Sequence, residues 1–282
     1  MINTRNSLFF LALAAVLWSS GGVLVKSVAW PPLAIAGLRS LIAAIVIWLA
    51  FRREAFIFSK QQLAGAAFYC GMVSSFVAAT KLTTAANAIL LQYTAPLYVA
   101  LLSGWLLHEK VTRRDLLTIV LVLGGMAFFF LDKVSAGGLL GNILGVVSGI
   151  SFALFVIFTR MQKDRPPFGS VLLGNILTFL LSLPALPGIT VTVFNLSIIL
   201  ALGVFQLGLA YVIYTHAIRH VRALEATLVT SIEPILNPIW VFLFLGEIPG
   251  RYSLIGGAIV LFAVIGGYFF DACKSKIDTP AG

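Results

Sequence analysis

Ten long apolar runs follow one another along this chain, with short polar segments between them. In chain order, the first to tenth spans have approximate limits of 7–26, 33–51, 62–80, 84–107, 114–131, 138–159, 168–188, 194–215, 223–245 and 252–271. A helix of about 20 mostly apolar residues crosses about 30 Å of hydrocarbon, and continuous hydrophobicity distinguishes such helices from barrel strands, which alternate with period two. The sequence therefore predicts an all-α membrane protein with ten transmembrane helices.

Composition excludes several other classes of protein. Hydrophobic residues make up 60% of the chain and charged residues 10%, whereas soluble globular chains have about 45–50% apolar and about 25% charged residues. A soluble enzyme, a disordered tail and a secreted disulfide scaffold are therefore excluded, and nucleic acid is not an expected partner. The two cysteines, Cys70 and Cys273, form no CxxC motif and no His/Cys cluster, so we expect neither a metal site nor a cofactor.

The lysine and arginine residues predict the orientation of the chain. With a cytoplasmic N-terminus, the cytoplasmic segments hold 14 of the 19, Arg39 lies inside the second span, and the outer segments hold Lys26, Lys81, Lys133 and Arg251. An excess of positive charge marks the cytoplasmic loops of membrane proteins. We therefore expect both termini in the cytoplasm, and topology accounts for the net charge of +9.

The two halves of the chain repeat a pattern at an offset of 138 residues. Pro96 and Glu109 match Pro234 and Glu247, so the spacing from proline to glutamate is thirteen in both halves. Each half has five spans, an odd number, so the second half enters the membrane in the opposite orientation. Inverted repeats of this kind are common in secondary transporters, whose substrate sites lie near the midplane between the halves. We expect two five-helix units, 1–132 and 137–282, the second inverted and ending in a short cytoplasmic tail.

Three motifs accompany the ten-span pattern. The first span contains Ala15-Val16-Leu17-Trp18-Ser19-Ser20 and ends at Lys26, a Pro31-Pro32 pair precedes Arg39, and an Ala-x-x-Ala pattern from Ala85 precedes Pro96 and Glu109. With these motifs the whole chain resembles the EamA family of the drug/metabolite transporter superfamily, and bacterial exporters of amino acids and metabolites in particular. The resemblance implies that the first, third, fourth, sixth, eighth and ninth spans surround a central cavity.

Glu233 is the clearest candidate for a functional side chain. It lies about ten residues into the ninth span, which is roughly 15 Å at 1.5 Å per residue, and an ionisable group at mid-bilayer costs about 2.5–3.5 kcal/mol. Asn237, Trp240 and Phe244 share its helical face. A substrate contact and a structural hydrogen bond between helices are the two alternatives.

Arg39 is the second charged candidate. It lies about six residues into the second span from the outer side, so either it binds substrate or it extends to the interface and fixes helix packing. Lys26 ends the first span on the outer side, where an interfacial anchor is the simpler interpretation.

Three prolines interrupt spans at matching places in the two halves. Pro96 deprives the carbonyl of Gln92 of its usual donor, Pro234 does the same for Thr230, and Pro238 removes a further bond. Membrane helices tolerate such breaks where protein or a wet cavity satisfies the freed groups. The fourth and ninth spans are therefore predicted to kink near mid-membrane, either as hinges or as static bends.

Further polar and aromatic groups lie on the spans that the resemblance places around a cavity. They are Trp18, Ser19, Phe76, Gln92, Tyr93, Tyr98, Ser151, Gln206, Tyr211 and Tyr214. From them we select Trp18, Phe76, Gln92, Tyr98, Ser151, Tyr211 and Tyr214 as substrate contacts, together with Arg39, Glu233, Asn237 and Trp240. Glycines in the fifth and tenth spans predict close helix packing, and a monomer and a homodimer both stay open.

The leading hypothesis is an alternating-access transporter of small polar metabolites in a bacterial cytoplasmic membrane, with lipid as its surroundings and no enzymatic activity. An amino-acid exporter fits best, including one for aromatic or other hydrophobic amino acids. The carboxylate of a zwitterion would lie near Arg39 and its ammonium group near Glu233. Glu233 is alternatively the carrier of a coupling proton, because burial disfavours the charged form of a carboxyl group.

Other functions are kept as alternatives. A vitamin, a nucleotide derivative or a drug would suit the same family resemblance. A membrane-embedded enzyme that acts on lipid would need paired acidic residues or a nucleophile with its base, and the sequence has no such constellation. A channel would need a ring of like groups rather than one glutamate.

Overall fold

A computed structural model describes residues 4–53, 58–106, 113–128, 131, 136–162, 168–217, 229–230 and 232–277. Within these ranges every regular element is a helix and there is no strand. The all-helical class is thus confirmed for the part of the chain that the structure describes.

Thirteen α-helices occur in the described ranges. They are α1 (Thr4–Ser19), α2 (Gly21–Ser27), α3 (Pro32–Phe51), α4 (Lys60–Leu82), α5 (Ala85–Gln92), α6 (Ala95–Leu106), α7 (Arg113–Phe128), α8 (Ala136–Arg160), α9 (Phe168–Ser182), α10 (Val193–Ala201), α11 (Ala210–Ala217), α12 (Glu233–Leu245) and α13 (Arg251–Ile277). A 3-10 turn, Leu183–Ala185, extends α9, and a π-helical segment, Leu202–Leu209, joins α10 to α11.

Six helical stretches in the described ranges are long and apolar enough to cross a membrane. They are Asn6–Ser27, Pro32–Phe51, Lys60–Leu82, Gly138–Arg160, Phe168–Ala185 and Val193–Ala217. Shorter apolar helices occupy the remaining predicted spans, and the fourth span is divided between α5 and α6. The arrangement of ten spans as two inverted repeats stays a prediction.

Side chains and backbone chemistry set the helix boundaries. Ser59 and Thr84 accept hydrogen bonds from backbone N–H groups at the starts of α4 and α5, which satisfies donors that have no partner inside the helix. Pro32 opens α3, where its missing N–H is harmless. Gly246, with φ of 67°, ends α12 in the left-handed conformation that glycine adopts without strain.

Four spans contain a backbone irregularity. The first is interrupted at Ser20, the fourth at Tyr93–Thr94, and the eighth by the π-helical segment. In the ninth, α12 begins at Glu233 with Pro234 as its second residue and Pro238 inside it. Ala95 and Glu233, the starting residues of α6 and α12, are equivalent at the offset of 138, and each is followed by proline.

The interruption at Ser20 has a local cause. The hydroxyl groups of Ser19 and Ser20 each donate to a carbonyl oxygen three residues earlier, at 2.7 Å, and so compete with the helical ladder. Two glycines follow, and these have a low helix propensity. The sequence therefore favours a break here as soon as tertiary contacts compensate for it.

Helix pairs from both parts of the chain form the packed interior. α4 packs against α8 and α9, α3 against α9, and α7 against α13. A Cβ atom on Gly125 of α7 would lie 2.9 Å from the carbonyl oxygen of Gly256 on α13. Close packing between glycines of the fifth and tenth spans, as the sequence predicts, is thus confirmed within the chain.

Candidate substrate-binding site

Glu233 lies where the breaks of the fourth and ninth spans meet. The Tyr93 hydroxyl group, at the fourth-span break, is 2.8 Å from Glu233 Oε2 and 3.2 Å from the carbonyl oxygen of Thr230. This is the carbonyl group that Pro234 deprives of its helical donor. One hydroxyl proton thus serves two acceptors, a carboxylate and a freed backbone carbonyl.

Arg39 is buried on α3, with 2% of its surface exposed, and does not extend to the surface. Its Nη1 donates to Gln206 Oε1 at 3.0 Å, while its Nε has no hydrogen-bond partner. Arg39 forms no ion pair with a carboxylate among the described residues. A buried charge without an opposite partner is strongly unfavourable, which makes an anionic ligand group the natural complement.

Gln206 holds Arg39 against the break of the first span. It lies on the π-helical segment, and its Nε2 donates to the backbone carbonyl of Trp18 at 3.3 Å. A Cβ atom on Gly21 would lie 2.9 Å from this Nε2, so glycine is needed there for the amide to approach. The π-helical segment thus links the guanidinium group to the backbone at the first-span break.

Four aromatic residues, Trp18, Tyr69, Tyr211 and Tyr214, form one group, the aromatic cluster. The ring centroids of Trp18 lie 5.2 Å from those of Tyr211 and 5.3 Å from those of Tyr214, and Tyr69 is 5.5 Å from Tyr211. Tyr211 lies within electrostatic range of Arg39 and of Glu233. The aromatic cluster therefore lies in the neighbourhood of both charged groups.

Asn237 and Trp240 bring α12 against the first-span break. Trp240 Nε1 donates to Ser19 Oγ at 2.9 Å. Asn237 is fully buried, neither of its side-chain amide atoms has a partner in the described structure, and its Oδ1 lies 2.2 Å from the position of a Cβ atom on Gly22. Leaving a buried polar group unsatisfied costs about 1–3 kcal/mol, so a hydrogen bond to either amide atom would stabilise the protein.

The other selected residues are not brought into this group by any described contact. Gln92 Nε2 donates to Ser148 Oγ at 2.7 Å, and Ser151 packs against Gly71. Phe76 belongs to an apolar core cluster, and Tyr98 packs against the same cluster. The side chain of Pro96 lies outside the described part, although its backbone forms the second residue of α6, directly after the fourth-span break.

Tyr93, Gln206 and Ser19 contact the selected residues most directly, although none of the three was chosen from the sequence. All three are polar groups inside apolar spans, which was the available signal. Tyr69 of the aromatic cluster carries the same signal, as a polar group inside the third span, and was not selected either.

The chemistry of this site rests on one carboxylate, one guanidinium group, one free amide and the aromatic cluster. In the ranges that the structure describes, no three His, Cys, Asp or Glu side chains come together as a metal ion would require. Opposite charges with aromatic walls suit the noncovalent binding of a small polar molecule.

Comparison with known proteins identifies the family of the chain. The chain matches the profile of the EamA-like transporter family twice, over residues 5–131 and 139–268. It is 29% identical to an uncharacterized transporter of Archaeoglobus fulgidus, over 90% of this chain and 93% of that protein. It is 25% identical to the pseudopaline exporter CntI of Pseudomonas aeruginosa, over 93% of this chain and 95% of that one.

A solved crystal structure has a similar fold. Its TM-score is 0.66, and the match covers 95% of this chain and 98% of the other at 17% sequence identity. The two family matches together span most of the sequence, and the apolar helices are those of an integral membrane protein. This chain is therefore a transporter of the EamA family, within the drug/metabolite transporter superfamily.

Proposed function

We propose that the protein is an alternating-access exporter of small zwitterionic metabolites, and of amino acids in the first instance. The observation that carries this proposal is that two charged groups, one of each sign, lack opposite-charge partners among the described residues. Arg39 bonds to a neutral amide and Glu233 to a neutral hydroxyl group, while Tyr211 lies near both. A ligand that carries one carboxylate and one ammonium group would compensate both charges at once.

The aromatic cluster supports an amino acid with an apolar or aromatic side chain. Aromatic faces attract cations, by about 0.5–1 kcal/mol at exposed sites and about 2 when desolvated, and they also pack against apolar groups. Trp18, Tyr211 and Tyr214 are half-buried rather than sealed in the core, which is compatible with contact to such a ligand.

The family comparisons support the alternating-access mechanism and the outward direction of transport. Two separate family matches, one in each half, favour inverted repeats that rock about a central site. The relative named as a pseudopaline exporter favours outward transport, and it makes pseudopaline the first alternative cargo. The charge bias of the loops favours cytoplasmic termini in a bacterial cytoplasmic membrane.

The test is counterflow in proteoliposomes with three matched compounds: phenylalanine, phenethylamine, which lacks the carboxylate, and 3-phenylpropionate, which lacks the amine. We expect exchange of the zwitterion and at least tenfold less of the other two. Charge-assisted hydrogen bonds contribute about 1.5–3 kcal/mol, and about 1.4 kcal/mol is tenfold in affinity. The zwitterion proposal would be refuted if all three compounds were exchanged equally, or if no amino acid of a wider panel were exchanged.

Variants of Arg39 and Glu233 test which of the two residues recognises each charged group of the substrate. Arg39→Met should remove discrimination between phenylalanine and phenethylamine, and Glu233→Gln should do so between phenylalanine and 3-phenylpropionate. Ser197→Ala, at an exposed position on α10, is the matched control. Flux through Glu233→Gln that equals that of the parent protein at every pH would show that Glu233 is structural and neither a substrate nor a proton site.

A further inference from the structure

A second set of charged residues lies at one end of the molecule, away from Arg39 and Glu233. Lys26, in the last turn of α2, forms an ion pair with Glu247, and Lys26 Nζ also donates to the carbonyl oxygen of Thr83 at 2.9 Å. Glu247 Oε1 accepts from the backbone N–H of Ala85 at 2.7 Å. We refer to Lys26, Thr83, Ala85 and Glu247 as the end network.

Local structure explains why these groups meet. Ala85 is the first residue of α5, and the first N–H groups of a helix have no partner within it and attract negative charge. Glu247 directly follows Gly246, whose left-handed conformation ends α12 and turns the chain. One carboxylate therefore joins a helix start to a lysine from a third helix.

Each helix that reaches the end network leads to the candidate site. α2 begins directly after the break at Ser20, α5 ends directly before the break at Tyr93, and α12 begins at Glu233. At 1.5 Å per residue, their 7, 8 and 13 residues span about 10, 12 and 20 Å. The end network thus ties together the ends of the three helices whose other ends hold the site.

The end network joins opposite halves of the sequence. Lys26, Thr83 and Ala85 belong to the first half and Glu247 to the second. The side chains of Lys26 and Glu247 are 17% and 23% exposed, so the ion pair is mostly buried without being sealed. A partly exposed ion pair is stable enough to hold a closed state and weak enough to open.

We propose that Lys26 and Glu247 are gating residues, whose ion pair closes this end of the substrate pathway and separates to let substrate pass. The inference rests on the proposed transport function. An inert clamp between helices is the competing explanation, and it differs in one respect: breaking a clamp loosens the fold, whereas breaking a gate exposes the site from one side of the membrane.

Lys81 supplies a matched control. It lies at the same end of the molecule, in the last turn of α4, and its Nζ donates to the carbonyl oxygen of Val28 at 2.8 Å. This contact stays within the first half of the chain. Lys81→Met therefore removes a lysine and a hydrogen bond from the same region without releasing the second half.

The first experiment measures access to the first-span break and needs no knowledge of the substrate. Cys70 and Cys273 are replaced by serine, and Ser20→Cys introduces one thiol, which a membrane-impermeant maleimide labels from each side of oriented membranes. Lys26→Met and Glu247→Gln should each raise the labelling rate at least tenfold from the side of the end network, and Lys81→Met should not. Equal rates in all variants, or a rise in all three, would overturn the gate.

A reversible cross-link provides a test that does not depend on weakened variants. In the same background without Ser20→Cys, Lys26→Cys and Glu247→Cys are joined as a disulfide. Counterflow should stop in the oxidised protein and return on reduction. Counterflow that continues through the cross-linked protein would overturn the gate and leave the transporter proposal intact. If no substrate is ever exchanged, the transport proposal fails. The labelling rates then still decide whether the end network controls access.

Discussion

Replacing Gly22 by alanine places a methyl group inside the space that the Asn237 side chain occupies. The new Cβ atom would lie 2.2 Å from Asn237 Oδ1 and 3.1 Å from Val241 Cγ2. Ordinary van der Waals contact begins near 3.4 Å, so the Asn237 amide must move by more than 1 Å. No part of Asn237 is exposed.

The expected loss of stability follows from two opposing terms. Overpacking a filled core costs about 1–3 kcal/mol, and exchanging a helical glycine for alanine returns about 0.5–1 kcal/mol. With the low estimates of both terms the net destabilisation of Gly22→Ala is about 0.5 kcal/mol, and with the high estimates it is about 2 kcal/mol. At about 2–4 °C per kcal/mol for a chain of this size class, Tm should fall by about 1–8 °C.

Asn237→Ala, unlike Gly22→Ala, should have little effect on stability. It removes two buried polar atoms that have no partner in the described structure, which offsets the packing it loses, so we expect little change in Tm. It should nevertheless lower counterflow, because the free amide is one of the groups proposed to receive the ligand. The double variant with Gly22→Ala should recover at least 0.5 kcal/mol relative to additivity, the scale of coupling between contacting residues.

Thermal unfolding in detergent, followed by tryptophan fluorescence, measures these effects. Gly124→Ala is the matched control, because a Cβ atom on this helical glycine meets nothing within 4 Å; its Tm should stay level or rise. Additive effects of Gly22→Ala and Asn237→Ala, or a Gly22→Ala variant as stable as the control, would show that α12 does not pack against the first-span break as described.

Three further predictions concern the site and the helix packing. Gln206→Glu gives Arg39 an internal carboxylate but removes the N–H that the carbonyl oxygen of Trp18 accepts, so counterflow of a zwitterion should fall at least tenfold; unchanged counterflow would contradict a substrate role for the guanidinium group. Tyr93→Phe removes the one hydroxyl proton shared at the fourth and ninth breaks, and counterflow should fall about tenfold, whereas an unaltered rate would assign the tyrosine to packing alone. Gly125→Ala pushes a methyl group to 2.9 Å from a facing backbone carbonyl, so Tm should fall where Gly124→Ala leaves it unchanged, and equal Tm values would argue against close packing of α7 and α13.

Hydrophobicity alone allowed most helices to be located. The third span, predicted at 62–80, is Lys60–Leu82 in the structure, and the second, predicted at 33–51, is Pro32–Phe51. Proline chemistry also indicated the fourth-span break, because a missing N–H acts on its own helix. These are local properties, and a sequence displays them directly.

The interruption at Ser20 and the π-helical segment could not be predicted in the same way. Both depend on a partner from a distant part of the chain: Gln206 donates to the carbonyl oxygen of Trp18, 188 residues away in sequence. A serine or a glycine inside an apolar run is otherwise compatible with an unbroken helix. The break becomes stable because the amide compensates the freed carbonyl group.

The sequence predicted the charged residues of the site but not the contacts that they make. Glu233 and Arg39 stand out because charges are costly in a membrane, whereas the bond from Tyr93 to Glu233 joins residues 140 apart and depends on helix register. Lys26 was interpreted as an interfacial anchor, and the structure instead places it in an ion pair with Glu247. No rule of composition or spacing connects two such residues.

The two glycines after Ser20 have a consequence for how this family diversifies. Gly21 faces the Gln206 amide and Gly22 faces the Asn237 amide, each too closely for a Cβ atom. Evolution can therefore enlarge one member of either pair only after the other has become smaller. Homologues that keep asparagine at position 237 should keep glycine at position 22, those that lose it are free to vary there, and the same linkage should hold between positions 21 and 206.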